Sequence, residues 1–179
     1  MRKLISSFLF FCIIVFLLLA YSCDGNHRDE NKLPAKEEID ERMSEVNKAL
    51  LKYDEQDIQD FIDRYGWDMK ETGSGLRYEI YHEGEGDKAR QGLTAFINYD
   101  IRLLTGDLVY SSEDEGVKSF RIGRGAVESG LEEGILLMRV GDKARFIMPP
   151  HLAHGLPGDG VKIPKRVPII YNVELINLL

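Results

Sequence analysis

From Leu76 onward the chain is dominated by runs that alternate like strands, and only one short helical stretch, from about Ser129 to Met138, interrupts them. A sheet with a single helix to cover its apolar face can close a core in few ways, and the simplest is a sheet wrapped around that helix, an α+β layer arrangement. Leu76, Tyr78 and Ile80 alternate with Arg77, Glu79 and Tyr81, and a polar loop follows at Gly84-Glu85-Gly86. A long strand is expected from about Leu93 to Leu104. Thr105-Gly106-Asp107 turns it into a short one at Leu108-Val109-Tyr110, and Ser119-Phe120-Arg121-Ile122 supplies an edge. Residues 143–148 and 167–178 return as strands.

Upstream the pattern changes. Ile39, Met43, Val46, Leu50 and Tyr53 recur every three or four residues, which predicts an amphipathic helix. A second short stripe of Ile58, Phe61, Ile62 and Tyr65 stops at Gly66, a residue suited to the left-handed end of a helix. Two roles stay open for these helices. They form an added layer on the domain, or they form a dimer arm or client-gripping surface. Thr72-Gly73-Ser74-Gly75 reads as the boundary, with a helical segment at 37–70 and a second domain at 71–179.

The first residues bear on location. Met1-Arg2-Lys3, an apolar run from Leu4 to Ala20 and then Ser22-Cys23 form the three-part layout of a secretory signal over residues 1–22. A cysteine after a small residue also resembles a bacterial lipoprotein box, in which Cys23 is acylated and leads the mature chain; an uncleaved membrane anchor is the other reading. Residues 23–36 are polar and unpatterned, as a tether would be. With 30 acidic against 23 basic residues, the chain has a formal net charge of −7, more negative still without Arg2 and Lys3. That balance excludes a basic stripe for nucleic acid and adhesion to anionic lipid by charge alone.

Specific runs sharpen the picture: Gly130-Leu131-Glu132-Glu133-Gly134, Val140-Gly141-Asp142-Lys143-Ala144-Arg145-Phe146, Pro149-Pro150-His151-Leu152-Ala153-His154-Gly155, Ile163-Pro164 and Val173-Glu174-Leu175. In this order they resemble the FKBP-type peptidyl-prolyl isomerase family over about Gly75 to Leu179. Glu128-Ser129-Gly130-Leu131, Pro150-His151 and Gly158-Asp159 look most like a lipoprotein branch associated with gliding motility. The resemblance implies an FKBP-like antiparallel sheet around one short helix, and an enzyme that needs no cofactor or covalent step. Its partners would be prolyl segments of unfolded or partly folded exported proteins, with the membrane reached through the lipid anchor, no nucleic acid, and possible homodimers through the N-terminal helices.

The family's pocket carries over residue by residue. Tyr99 matches the pocket tyrosine, Phe120 an aromatic wall, and Val127 the position before the amide donor, which makes the backbone N–H of Glu128 that donor. Tyr171 stands where phenylalanine usually closes the pocket and Ile163 where isoleucine edges the flap. Three positions depart from the pattern. Leu131 replaces the usual tryptophan floor, His154 the flap tyrosine, and Val109-Tyr110-Ser111-Ser112 the common Phe-Asp-Ser-Ser; Val109 and Tyr110 would still meet the substrate. A smaller floor implies weak binding of macrolide inhibitors. Losing one orienting polar contact would cost about 1–3 kcal/mol.

Other motifs carry less. His151 and His154 near Asp159 fall short of the three or four ligands of a metal site, so no metal is expected. Gly123-Arg124-Gly125 reads as a turn. Glu132 and Glu133 open the short helix, where carboxylates complement its dipole. Two functions follow: an envelope isomerase, or a non-catalytic module with the same groove and an altered pocket.

Overall fold

A computed structural model describes residues 35–179. The expected signal, Cys23 and nearly all of the tether lie outside the described residues. A compact unit spans Ser44–Leu179, and Met43 and the residues before it belong to another. Among the described residues, no helix is long and apolar enough to cross a membrane.

The chain order is α1 (Lys36–Tyr65), β1 (Lys70–Glu71), β2 (Arg77–His82), β3 (Thr94–Leu103), β4 (Leu108–Ser111), α2 (Ser112–Glu115), β5 (Lys118–Arg121), α3 (Ser129–Leu137), β6 (Lys143–Met148), a 3-10 turn (Pro150–Leu152) and β7 (Ile169–Leu178). The strands form one antiparallel sheet in the order β1-β2-β6-β7-β3-β4, with β5 also on β3. The α+β fold expected from the sequence is the fold observed.

Strand alternation decides what each face of the sheet buries. Ala95, Ile97, Tyr99 and Ile101 of β3 and Ile169, Tyr171, Val173 and Leu175 of β7 point to the main core, where Leu131 and Ile135 of α3 meet them. Gly134 permits the close approach of α3, since a Cβ there would lie 2.7 Å from the Phe146 ring. The opposite face presents Ile147 and Ile170, register partners on β6 and β7, and these pack with Ile58, Phe61 and Ile62 of α1. The sheet of this unit is therefore covered on both faces.

Two sequence expectations need correction. The two apolar stripes upstream belong to one continuous helix, because Asp54-Glu55-Gln56-Asp57 contains neither glycine nor proline and its polar groups find partners. Gln56 donates to Asp60 one turn on, Glu55 accepts from Arg77, and Asp54 accepts from Arg166. Only the second stripe packs. Ile58, Phe61 and Ile62 are buried, whereas Ile39, Met43, Val46 and Tyr53 are exposed. The stop at Gly66 is as read from the sequence: its φ is +64°, the N–H of Trp67 donates to the Ile62 carbonyl and that of Gly66 to Asp63, a Schellman arrangement. The second correction concerns Thr72-Gly75. This segment is the turn of the β1–β2 hairpin, with Lys70 opposite Tyr78, so the expected boundary at 70/71 falls inside a strand.

Candidate active site

Five elements converge at one end of the sheet: β3, β5, β7, the N-terminus of α3, and the loop after the 3-10 turn. Tyr99 and Tyr171 lie on neighbouring strands with ring centroids 6.1 Å apart. Both are almost fully buried, as are Phe120, Leu131, Ile163 and Val109. Phe120, Val127, Glu128 and His154 line one cleft of about 530 Å³, together with Lys118, Ser119, Ala126 and Ala153. The structure thus brings four of the carried-over residues to an open surface. Tyr171 and Leu131 sit deeper, with no exposure of their own.

What covers the tyrosine pair is a side chain that the sequence reading passed over. The Lys118 ammonium stands 4.9 Å from the Tyr99 ring centroid and 5.8 Å from that of Tyr171, and it donates to the Tyr171 hydroxyl at 3.3 Å. Strand alternation is the signal that could have found it, since Lys118 lies two residues before Phe120 and so faces the same way. The Tyr171 hydroxyl donates in turn to Glu128 Oε1 at 3.2 Å, and His154 Nε2 lies 3.1 Å from that same oxygen. The Tyr99 hydroxyl donates to Glu115 Oε2 at 2.7 Å.

Burial raises the pKa of both tyrosines, reinforced for Tyr99 by the bond to Glu115 and for Tyr171 by the charge of Glu128. Both therefore stay protonated at physiological pH and act as hydrogen-bond donors. Glu128 is the N-cap of α3, non-helical at φ −55° and ψ 138°, with no side-chain cap bond. Its backbone N–H consequently precedes the helical ladder, where helix N-termini leave donors to spare. Glu132 and Glu133 brace loops: Glu132 Oε1 accepts the Gly125 N–H at 2.9 Å and Glu133 Oε2 the Ser74 hydroxyl at 2.7 Å.

The flap is held by Asp159. Its Oδ1 accepts the N–H groups of Val161, Lys162 and Ile163 at 2.8, 2.9 and 2.7 Å, and its Oδ2 accepts the Tyr110 hydroxyl. Desolvation opposes the charge on Asp159, but these four donors outweigh it and hold the pKa down to about 2. The bond to Asp159 pushes the Tyr110 phenol up to about 12, with desolvation adding to it. Tyr110 is thereby engaged in fastening the flap, and Lys162 lies 4.6 Å from its ring while donating to the Val109 carbonyl at 3.0 Å. Among the described residues, no three His, Cys, Asp or Glu side chains gather as metal ligands would. His151 faces the Ser74 carbonyl, away from His154.

Comparison with known proteins matches this arrangement. A family model described as FKBP-type peptidyl-prolyl cis-trans isomerase covers residues 85–176. FK506-binding protein 2 of Dictyostelium discoideum is 42% identical over 92 residues, 51% of this chain and 69% of the relative. A probable FKBP-type peptidyl-prolyl cis-trans isomerase of Haemophilus influenzae is 28% identical over 158 residues, 84% of this chain and 65% of the relative. The crystal structure of AtFKBP13 matches with a TM-score of 0.61 and 30% identity, over 63% of this chain and 100% of that one.

Proposed function

The chain belongs to the FKBP-type peptidyl-prolyl cis-trans isomerase family and is an enzyme of that type, and from this premise we propose that it speeds X-Pro isomerisation in exported proteins of a bacterial cell envelope. The reaction needs no bond broken. Its barrier, about 18–20 kcal/mol, is the amide resonance lost on twisting. The twisted amide separates less charge than the planar one, so an apolar site that excludes water favours it, provided a few donors fix its orientation.

The observation that carries this reading is the tyrosine pair, Tyr99 and Tyr171, buried behind the cleft-lining Lys118, with Phe120 and Val127 as apolar wall of the cleft and the Glu128 N–H as donor. A prolyl ring reaches the pair when Lys118 turns aside. Giving up its contact with the rings costs on the order of 0.5–2 kcal/mol, and side-chain rotation takes picoseconds to nanoseconds when exposed. That is small and fast beside the reaction. The same cover supports the second reading, a binding module that grips clients without turnover, because a cation on the rings competes with proline for them.

A peptide isomerisation assay on the full chain separates the two. Wild type accelerates the reaction, and Tyr99→Ala and Tyr171→Ala each lower kcat/KM by tenfold or more. A wild-type rate equal to the uncatalysed control would leave only the binding module.

The envelope setting is supported by the sequence of residues 1–23, and the placement in a gliding-motility-like lipoprotein branch by the Glu128–Leu131 and Gly158-Asp159 strings. Fatty-acid labelling of cells expressing the chain is expected to mark wild type and to spare Cys23→Ala. Equal labelling of both would remove the lipid anchor from the proposal.

A further inference from the structure

Glu128 carries a carboxylate that the fold does not satisfy. Its side chain is 10% exposed, and Oε1 takes the Tyr171 hydroxyl. Oε2 is buried and has no hydrogen-bond partner among the described residues. The nearby His154 Nε2 is also without one, because its approach to Oε1 lacks hydrogen-bond geometry, and it offers a cation only when protonated. A buried acceptor left unmet costs about as much as a good hydrogen bond contributes. Glu128 lines the cleft beside Phe120 and Val127, so a turn of its side chain would bring Oε2 to a donor arriving with a bound peptide and relieve that cost where the peptide must lie.

The charge around the cleft says which donor fits. Glu128 and Glu115 both take hydrogen bonds from the tyrosine pair, and Asp159 holds the adjoining flap. Against them, Lys118 is directed at the rings and Lys162 at the Val109 carbonyl. Lys118 also shows that the tyrosine pair accepts an ammonium at close range.

We propose that Glu128 is a specificity-determining residue of the isomerase site: its free carboxylate oxygen receives the ammonium or guanidinium of a lysine or arginine next to the client's proline, so the enzyme prefers basic over acidic flanking residues. This rests on the isomerase reading above. The charge-assisted bond is stronger than a neutral one, and a client glutamate in the same place meets a like charge in a partly dry site.

The test uses the full chain and short peptides with Lys, Leu or Glu next to proline, on its N-terminal and C-terminal side in turn. The readouts are kcat/KM for isomerisation and Kd by fluorescence titration. On the favoured side, wild type takes the Lys peptide over the Glu peptide by about tenfold. Glu128→Gln brings that ratio close to one, whatever it does to the absolute rate. Lys118→Met removes the chain's own cation and widens the ratio. A wild-type ratio near one on both sides, or a ratio unmoved by Glu128→Gln, overturns the inference. If all three peptides are turned over equally, the isomerase reading survives alone; if none is turned over, that reading fails, and Kd still reports whether the groove sorts charge.

Discussion

The two faces of the sheet handle charge differently. On the α1 side the charged groups near the interface mostly stand beside an opposite charge. Arg166 donates to Asp54 at 2.8 Å and to the Leu50 carbonyl at 2.7 Å, Arg77 reaches Glu55 and Glu71, and Arg145 faces Glu79 at 3.5 Å while stacking 4.3 Å from the Trp67 ring. At the cleft, Glu128 has tyrosine and histidine for neighbours and keeps one oxygen unmet. The first arrangement pairs permanent charges, although Arg145 Nε and Glu79 Oε2 meet without a hydrogen bond. The second would improve if a ligand brought a donor, as the inference on Glu128 requires. Burial alone would not tell them apart, because Tyr171 and Ile58 are equally inaccessible. What separates the two faces here is the company an unmet carboxylate oxygen keeps: Glu79 stands beside the permanent charge of Arg145, Glu128 beside a histidine that is charged only when protonated.

If the α1 face is purely structural, damage there should cost stability and spare turnover. Phe61→Ala gives the largest expected effect. The ring is 5% exposed, packs edge-on to Trp67 at 5.2 Å, and shares its cluster with Ile58, Ile147 and Ile170. Removing it should lower the unfolding free energy by about 3–5 kcal/mol in a urea titration. The kcat/KM of the molecules that remain folded should stay within about twofold of wild type. A large loss of turnover at unchanged stability would join the two faces into one functional unit.

Much of this was legible beforehand, for identifiable reasons. The alternation at Leu76–Tyr81 announces β2, and a glycine where a left-handed residue fits announces the stop of α1. The merging of two helical stripes into one helix was missed because the polar stretch 54–57 has its partners, Arg77 and Arg166, far along the chain. Carrying aromatic positions over found Tyr99, Phe120 and Tyr171 but drew attention away from Lys118, although its register with Phe120 was there to read. The sequence marks Glu128 for its backbone N–H, and the structure adds that its side chain accepts from Tyr171 and keeps one oxygen unmet. The role of Asp159 was out of reach. A carboxylate that gathers four donors from a loop and a distant strand is fixed by the folded path of both, and Arg166, at φ +54°, is a conformation that no local pattern announces.

The flap sharpens the comparison at its smallest scale, since Asp159 lies next to the cleft yet is fully satisfied. Its folded pKa of about 2 is below the ordinary 3.8, so it contributes stability at pH above about 4 that is lost as pH falls from there through 2. Tyr110 works in the opposite direction: raised from 10 to about 12, its contribution is complete below pH 10 and disappears as pH rises through 12. Tyr110→Phe removes one of the four donors. The Asp159 carboxyl resonance should then titrate at a higher pH in an NMR series, and amide exchange at Val161–Ile163 should quicken at a less acidic pH than in wild type. The alkaline loss of stability should shrink in the same variant. If the Asp159 midpoint does not move, the three backbone N–H groups alone hold the flap, and Tyr110 returns to the role its position first implied, a side chain free to meet the substrate.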